Sequence, residues 1–186
     1  APLATLMITQ LAFNQVDQSY AMPFGETAEL RDHYHEMTVH LREAAGLQRA
    51  LALIFRAYDG GIALRYVFPA QAAWPTVTLV GEETHFAFSA DHLAYVEYGT
   101  EGEYRPQPLS AISGRSENPL TMVSNDGLFL AITEAAVDNY PRMLLVRHAT
   151  APQTLVTSLV GAAQAATPYA TPWRVLMLAT SPMALL

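Results

Sequence analysis

An all-β fold is predicted for this chain, and three observations predict it. Apolar and polar residues alternate with a period of two through most of its apolar segments. Two of those segments fold back over Gly-containing turns, Asp59-Gly60-Gly61 and Asn125-Asp126-Gly127. No stretch has the strand–helix–strand alternation of a parallel sheet, and no internal repeat of fixed period is present. Strands joined by short turns indicate a sandwich or barrel.

The elements follow in order. Residues 3–13 form a β-rich opening segment, and residues 14–32 are polar and turn-like, with Pro23 and Gly25. In residues 33–43, Met37, Val39 and Leu41 fall on one face and Glu36, Thr38, His40 and Arg42 on the other, the pattern of a half-buried strand. An amphipathic helix is the rival, because residues 41–50 are rich in helix formers. Residues 51–69, LALIFRAYDGGIALRYVFP, place two alternating runs around Asp59-Gly60-Gly61. Asp-Gly tolerates positive φ at both positions, which suits the twist of a tight hairpin. Residues 119–135, PLTMVSNDGLFLAITEA, predict a second hairpin turning at Asn125-Asp126-Gly127. Further strands are predicted at 76–80, 84–89, 142–147, 154–159 and 173–179. The Ala-rich stretch 161–166 predicts a loop or turn. No linker divides the chain, so one domain over residues 1–186 is expected.

Composition narrows the function. Of 186 residues, 51% are hydrophobic, enough for a real core rather than a disordered chain. The net charge is −7, and all ten basic residues are Arg. Nucleic-acid binding needs a basic surface, which this chain lacks. With no Cys, disulfides, thiolate metal sites and a Cys nucleophile are excluded. No apolar run reaches the ~18 residues of a membrane span. No basic region followed by an apolar one opens the chain, and it starts at Ala1, which predicts that a signal peptide or more precedes it.

Five segments, in order, resemble family 97 glycoside hydrolases. FRAYDGGIALRYVFP (55–69) is similar to a family hairpin in which Arg precedes a Tyr-Asp turn and an Arg-Tyr strand follows. EETHFAFSAD (82–91) resembles a Glu-x-Thr-x-Phe strand, and TEGEYRPQPLSAI (100–112) a Glu-x-x-Tyr segment trailed by Pro-Leu-Ser. NPLTMVSNDGLFLAITEAAVDNYPRMLL (118–145) resembles the second hairpin, whose returning strand ends in Glu-Ala. TPWRVLMLA (171–179) resembles a Pro-Trp-Arg strand near the end of the family's N-terminal domain. The resemblance implies a galactose mutarotase-like β-supersandwich and a secreted or periplasmic bacterial enzyme acting on α-glucosides or α-galactosides. It also implies a catalytic (β/α)₈ barrel C-terminal to this domain, to which one N-terminal Glu is lent for an active-site Ca²⁺. The family's opening Ser-x-Leu-Gly strands are not recognisable, and the chain ends in SPMALL, so a domain incomplete at one or both ends is expected.

By the motif match Glu101 is the implied calcium ligand, with Glu103 or Glu97 as the alternative register. Carboxylate oxygens suit a hard dication, but Ca²⁺ takes about 6–8 oxygens, more than one loop supplies. The rival is a solvated acidic loop. His33 and His35 share a strand face and have metal-ligand spacing, yet no third ligand lies near except Glu36, so a plain surface pair is favoured. Adjacent Glu82 and Glu83 would point to opposite faces of a strand and cannot work as a glycosidase pair. Glu134 reads as structural. Neither a Gly-x-Ser-x-Gly elbow nor a phosphate loop occurs. Tyr58, Tyr66, Tyr95, Tyr98, Tyr104, Trp74 and Trp173 could stack on sugars. Tyr66 and Trp173 read as core, and Trp74, beside Pro75, as the better candidate for exposure. Three functions compete: a non-catalytic domain of a glycoside hydrolase, a free-standing carbohydrate-binding module needing an exposed aromatic platform, and a mutarotase-like epimerase needing a Glu base and a His acid in one pocket.

Overall fold

The structure, a computed structural model, describes residues 5–25 and 27–185. Its regular structure is almost entirely β: β1 (Leu6–Ala21), β2 (Glu29–Glu43), β3 (Ala50–Tyr58), β4 (Gly61–Phe68), β5 (Thr76–Leu79), β6 (His85–Ala87), β7 (Leu93–Val96), β8 (Arg105–Pro108), β9 (Leu120–Val123), β10 (Phe129–Ala135), β11 (Met143–Arg147), β12 (Thr154–Leu159), β13 (Ala163–Ala166), β14 (Tyr169–Ala170) and β15 (Trp173–Ala179). Two short 3₁₀ turns, Leu109–Ala111 and Pro182–Leu185, are the helical elements among the described residues. The chain packs as two compact units, one running to Pro75 with Thr167–Ala170 added, the other holding Thr76–Ala166 and the segment from Thr171 onward.

The first unit is an antiparallel sheet in the order β1-β2-β3-β4-β14. The β3–β4 hairpin turns at Asp59-Gly60, with Tyr58 opposite Gly61, where the sequence places it. The left-handed backbone that Asp-Gly permits is not used there; it occurs in the second hairpin, at Gly127 with φ +86°. On β2 the expected alternation holds for Val39, which is buried, but the opposite face is not plainly solvated. There Tyr34 is buried, its ring lies 5.3 Å from that of Tyr58, and Glu36 accepts from Arg56 Nε at 2.8 Å on the neighbouring strand. After β2 the chain turns rather than continuing as a helix. Glu43 and Arg49 close that turn as a buried bidentate pair at 2.6 and 2.9 Å.

The long β1–β2 hairpin corrects the expectation that residues 14–32 are turn-like. Only residues 22–28 connect the strands, closed by the Met22 N–H to Ala28 carbonyl bond at 3.0 Å. Both strands are exposed for most of this length, so neither face demands apolar residues and the period-two signal vanishes. Polar cross-strand pairs stand in its place, including Arg31–Asp17 at 2.7 Å. Leu3, where the opening segment was expected to start, lies outside the described residues, as does Leu186 at the end of the tail.

The second unit is a sandwich. One sheet runs β15-β10-β9-β7-β8, a second β11-β12-β6, and β13 pairs with β5. Between the two larger sheets lies one core: Phe86, Ala94, Val96, Leu109, Ile112, Leu120, Met122, Leu130, Ile132, Met143, Leu145 and Leu155. Residues 163–166, expected as loop, are strand. Alanine has weak β propensity, but the backbone groups of β5 supply the ladder that β13 completes. Strand β8 went unpredicted because two of its four residues are proline; it sits at the sheet edge, where proline leaves no ladder bond unmade. Among the described residues no helix is long and apolar enough to cross a membrane.

Candidate functional site

The acidic loop joining β7 to β8, residues 97–104, is built on the edge of the five-stranded sheet. Its ends are held by ladder pairing of Val96 with Arg105. Within it the Glu97 carboxylate accepts the Gly102 N–H at 2.7 Å, and the Gly99 carbonyl accepts the same N–H at 3.0 Å. A side chain at 102 would be tight: a Cβ there would lie 3.1 Å from Glu97 Oε1 and 3.2 Å from the Gly99 oxygen. The outer flank is fixed as well. The Glu97 carbonyl accepts the Glu117 N–H at 2.9 Å, and the Tyr98 hydroxyl accepts from Ser113 N–H at 3.3 Å and from Gln107.

Glu97 is thereby spent on shaping the loop, whereas Glu101 and Glu103 are both exposed. Glu101 stands out by its backbone, with φ +77°, a region a residue with a Cβ rarely occupies. Its exposed carboxylate offers oxygens of the kind a hard cation takes. It does not make a complete cage. Among the described residues no group of three or more His, Asp or Glu side chains could hold a metal ion. His33 and His35 do share a face, their rings 6.1 Å apart, without a third ligand.

Of the other candidate carboxylates, Glu82 and Glu134 are structural. Glu82 and Glu83 lie just before β6, Glu82 turned inward and Glu83 exposed. Arg174 on β15 is wholly buried and bridges two acids, binding Glu82 at 2.7 and 2.8 Å and Glu134 at 2.7 Å. Burial works to lower the Arg174 pKa, but the hydrogen bonds and charge of Glu82 together with the charge of Glu134 outweigh it and hold the guanidinium above the ordinary arginine range. Glu134 also accepts the Met143 N–H, and the Tyr140 hydroxyl donates to Glu82 at 3.1 Å. The sequence carried one sign of this network: Arg174 occupies the phase of its strand that Leu176 shares, the phase facing the core.

Above Tyr140 an open cleft of about 410 Å³ is lined by Asn139, Tyr140, Pro141, Ala162, Ala163 and Gln164. It contains neither carboxylate nor histidine, so the acid–base pair of an epimerase is not assembled there. Tyr66 and Trp173 are half-buried. Trp74 is half-buried too, rather than freely exposed, because its ring meets Phe68 edge-on at 5.3 Å and carries the Arg49 guanidinium at 4.8 Å. Tyr104, beside the acidic loop, is the most exposed of the seven candidate aromatics at 62%.

A family model described as glycosyl-hydrolase 97 N-terminal matches residues 3–186. A retaining alpha-galactosidase of Bacteroides thetaiotaomicron is 29% identical over 147 residues, covering 70% of this chain and 21% of that protein. A family 97 glycoside hydrolase from Pseudoalteromonas sp. strain K8, solved in complex with acarbose, shares the fold with a TM-score of 0.86 at 24% identity, over 95% of this chain and 28% of that one. The crystal structure of a beta-arabinopyranosidase matches with a TM-score of 0.82 at 23% identity, over 94% and 32%. The chain thus spans between a fifth and a third of the length of these relatives.

Proposed function

Because the chain belongs to the glycosyl-hydrolase 97 N-terminal family, we propose that it is the non-catalytic domain of an enzyme acting on α-glucosides or α-galactosides, and that it lends Glu101 to that enzyme's calcium site. Its partner is a catalytic barrel further along the same polypeptide, which supplies the remaining oxygen ligands. The observation that carries the reading is Glu101 itself, an exposed carboxylate held at φ +77° on a loop that Glu97 and Gly102 lock. When bound, the calcium would supply a positive charge that polarises or orients sugar oxygens. Glu103 is the next candidate on the loop. The bacterial alpha-galactosidase relative supports a sugar substrate and a bacterial source, and the secreted or periplasmic location is proposed on the family resemblance of the sequence.

Activity tests the reading at two levels. The chain alone is expected to turn over no nitrophenyl α-glucoside or α-galactoside, because a glycosidase needs two carboxylates across the scissile bond and the buried carboxylates here are committed to arginines, Glu82 and Glu134 to Arg174 and Glu43 to Arg49. In the polypeptide carrying both domains, Glu101→Gln lowers kcat/KM and raises the calcium concentration needed for half-maximal activity. Turnover by the purified chain, lost on mutation within it, would refute the first expectation. Unchanged calcium dependence in Glu101→Gln would refute the second.

A further inference from the structure

We propose that the distal half of the β1–β2 hairpin, residues 16–34, is the arm by which this domain grips the catalytic barrel, with its Tyr20–Leu30 face and Phe24 tip seated in an apolar cleft of that barrel. The inference rests on the reading that a barrel lies on the same polypeptide, and it names the contact between the two.

Three observations carry it. The ribbon overhangs its own sheet. Strand β3 pairs with β2 only over residues 35–42, so among the described residues 16–21 and 29–34 pair with each other alone. A ribbon of two strands is at best marginally stable in water and gains from a partner. Its two faces also differ, although both are exposed. The facing pairs Val16–Tyr34, Gln18–Asp32 and Tyr20–Leu30 lie on one side, and Asp17–His33, Ser19–Arg31 and Ala21–Glu29 on the other. The second side is mostly polar and is braced by the Asp17–Arg31 ion pair. The first presents Tyr20 and Leu30, 44% and 49% exposed, and the tip adds Met22 and Phe24, the latter 81% exposed. The Tyr20 hydroxyl donates to Asp32 at 3.4 Å and accepts from Gln18, which tethers the ring to its own face. Finally, charge selects the occupant. Residues 16–34 hold four acids, Asp17, Glu26, Glu29 and Asp32, against Arg31 alone. Two such ribbons brought together would set like charges against each other, which disfavours a second copy. A neutral or basic cleft that accepts an aromatic side chain fits, and the solved relatives, of which this chain spans 28% and 32%, carry the length to provide one.

Hydrogen exchange tests the contact, on the chain alone and on the polypeptide that joins it to its barrel. Amides of residues 16–34 should exchange at least about ten-fold more slowly in the joined polypeptide. The double variant Phe24→Ser, Leu30→Thr should leave the chain alone folded, because both side chains are exposed. In the joined polypeptide it should return the ribbon amides to within about two-fold of the chain alone. The wild-type comparison needs no variant, and it decides the matter by itself if the double variant fails to fold. Glu101 lies outside the ribbon, so unchanged calcium affinity in Glu101→Gln with a protected ribbon would remove the calcium reading and keep this one. The proposal is overturned if joining leaves the exchange of residues 16–34 unchanged, or if the folded double variant is as protected as the wild type. It is equally overturned if the chain alone protects the ribbon in a concentration-dependent dimer, which would make a second copy the occupant.

Discussion

A glutamate at φ +77° sits where its Cβ crowds the backbone, and such residues carry strain of about 1–3 kcal/mol. Glycine at the same place carries none. Glu101→Gly is therefore expected to leave the chain folded and to raise its unfolding free energy by up to about 1 kcal/mol, after allowance for glycine's looser unfolded state. The neighbouring position behaves oppositely. Gly102→Ala drives a Cβ against the Glu97 carboxylate and the Gly99 carbonyl, and should destabilise by about 1–3 kcal/mol. Urea titration of both variants separates a strained functional position from a structural one; destabilisation by Glu101→Gly would remove the strain. Asp91 gives a pH test at the same scale. Its carboxylate accepts the Ser110 hydroxyl and N–H, which depress its pKa below 3.8. A depressed carboxylate pKa adds stability above the unfolded value, and that stability is lost as the pH falls through the folded value. In Ser110→Ala the Asp91 midpoint, followed by carbon-detected NMR, should rise toward 3.8.

Strands decide which of these residues could be foreseen. The β3–β4 and β9–β10 hairpins are visible in the sequence because each has a buried face and a glycine-bearing turn, so alternation and turn chemistry agree. The second half of β1, residues 14–21, is hidden because the hairpin there is exposed on both faces, and β8 because proline masks it. Glu101 could be named only through the family resemblance. Its positive φ lies in the turn that the Glu97–Gly102 bond spans, and nothing in a run of acids tells which of them folds back on the backbone. The Arg174 network was missed because its members are far apart in sequence: Glu134 and Arg174 face each other across β10 and β15, and Glu82 reaches them from the segment before β6. Removing its centre should be severe. Arg174→Met leaves two buried carboxylates without a cation and is expected to cost about 3–5 kcal/mol in thermal or urea unfolding. A loss below about 1 kcal/mol would mean that the acids are neutralised some other way.

At the scale of the molecule, the chain spans only part of the length of its relatives. It carries a sandwich core, a clamped acidic loop and no metal cage among its described residues, while its relatives are about three to four times as long. One loop carboxylate can contribute to a calcium site only when other oxygens complete it. Isothermal calorimetry with Ca²⁺ is the most direct test, on the polypeptide that joins this domain to its catalytic partner and on the same polypeptide with Glu101→Gln. The substitution keeps the shape of the side chain and removes its charge, so the affinity should fall at least ten-fold, about 1.4 kcal/mol, while the chain alone takes up calcium only weakly. Equal affinity in wild type and Glu101→Gln would contradict the assignment.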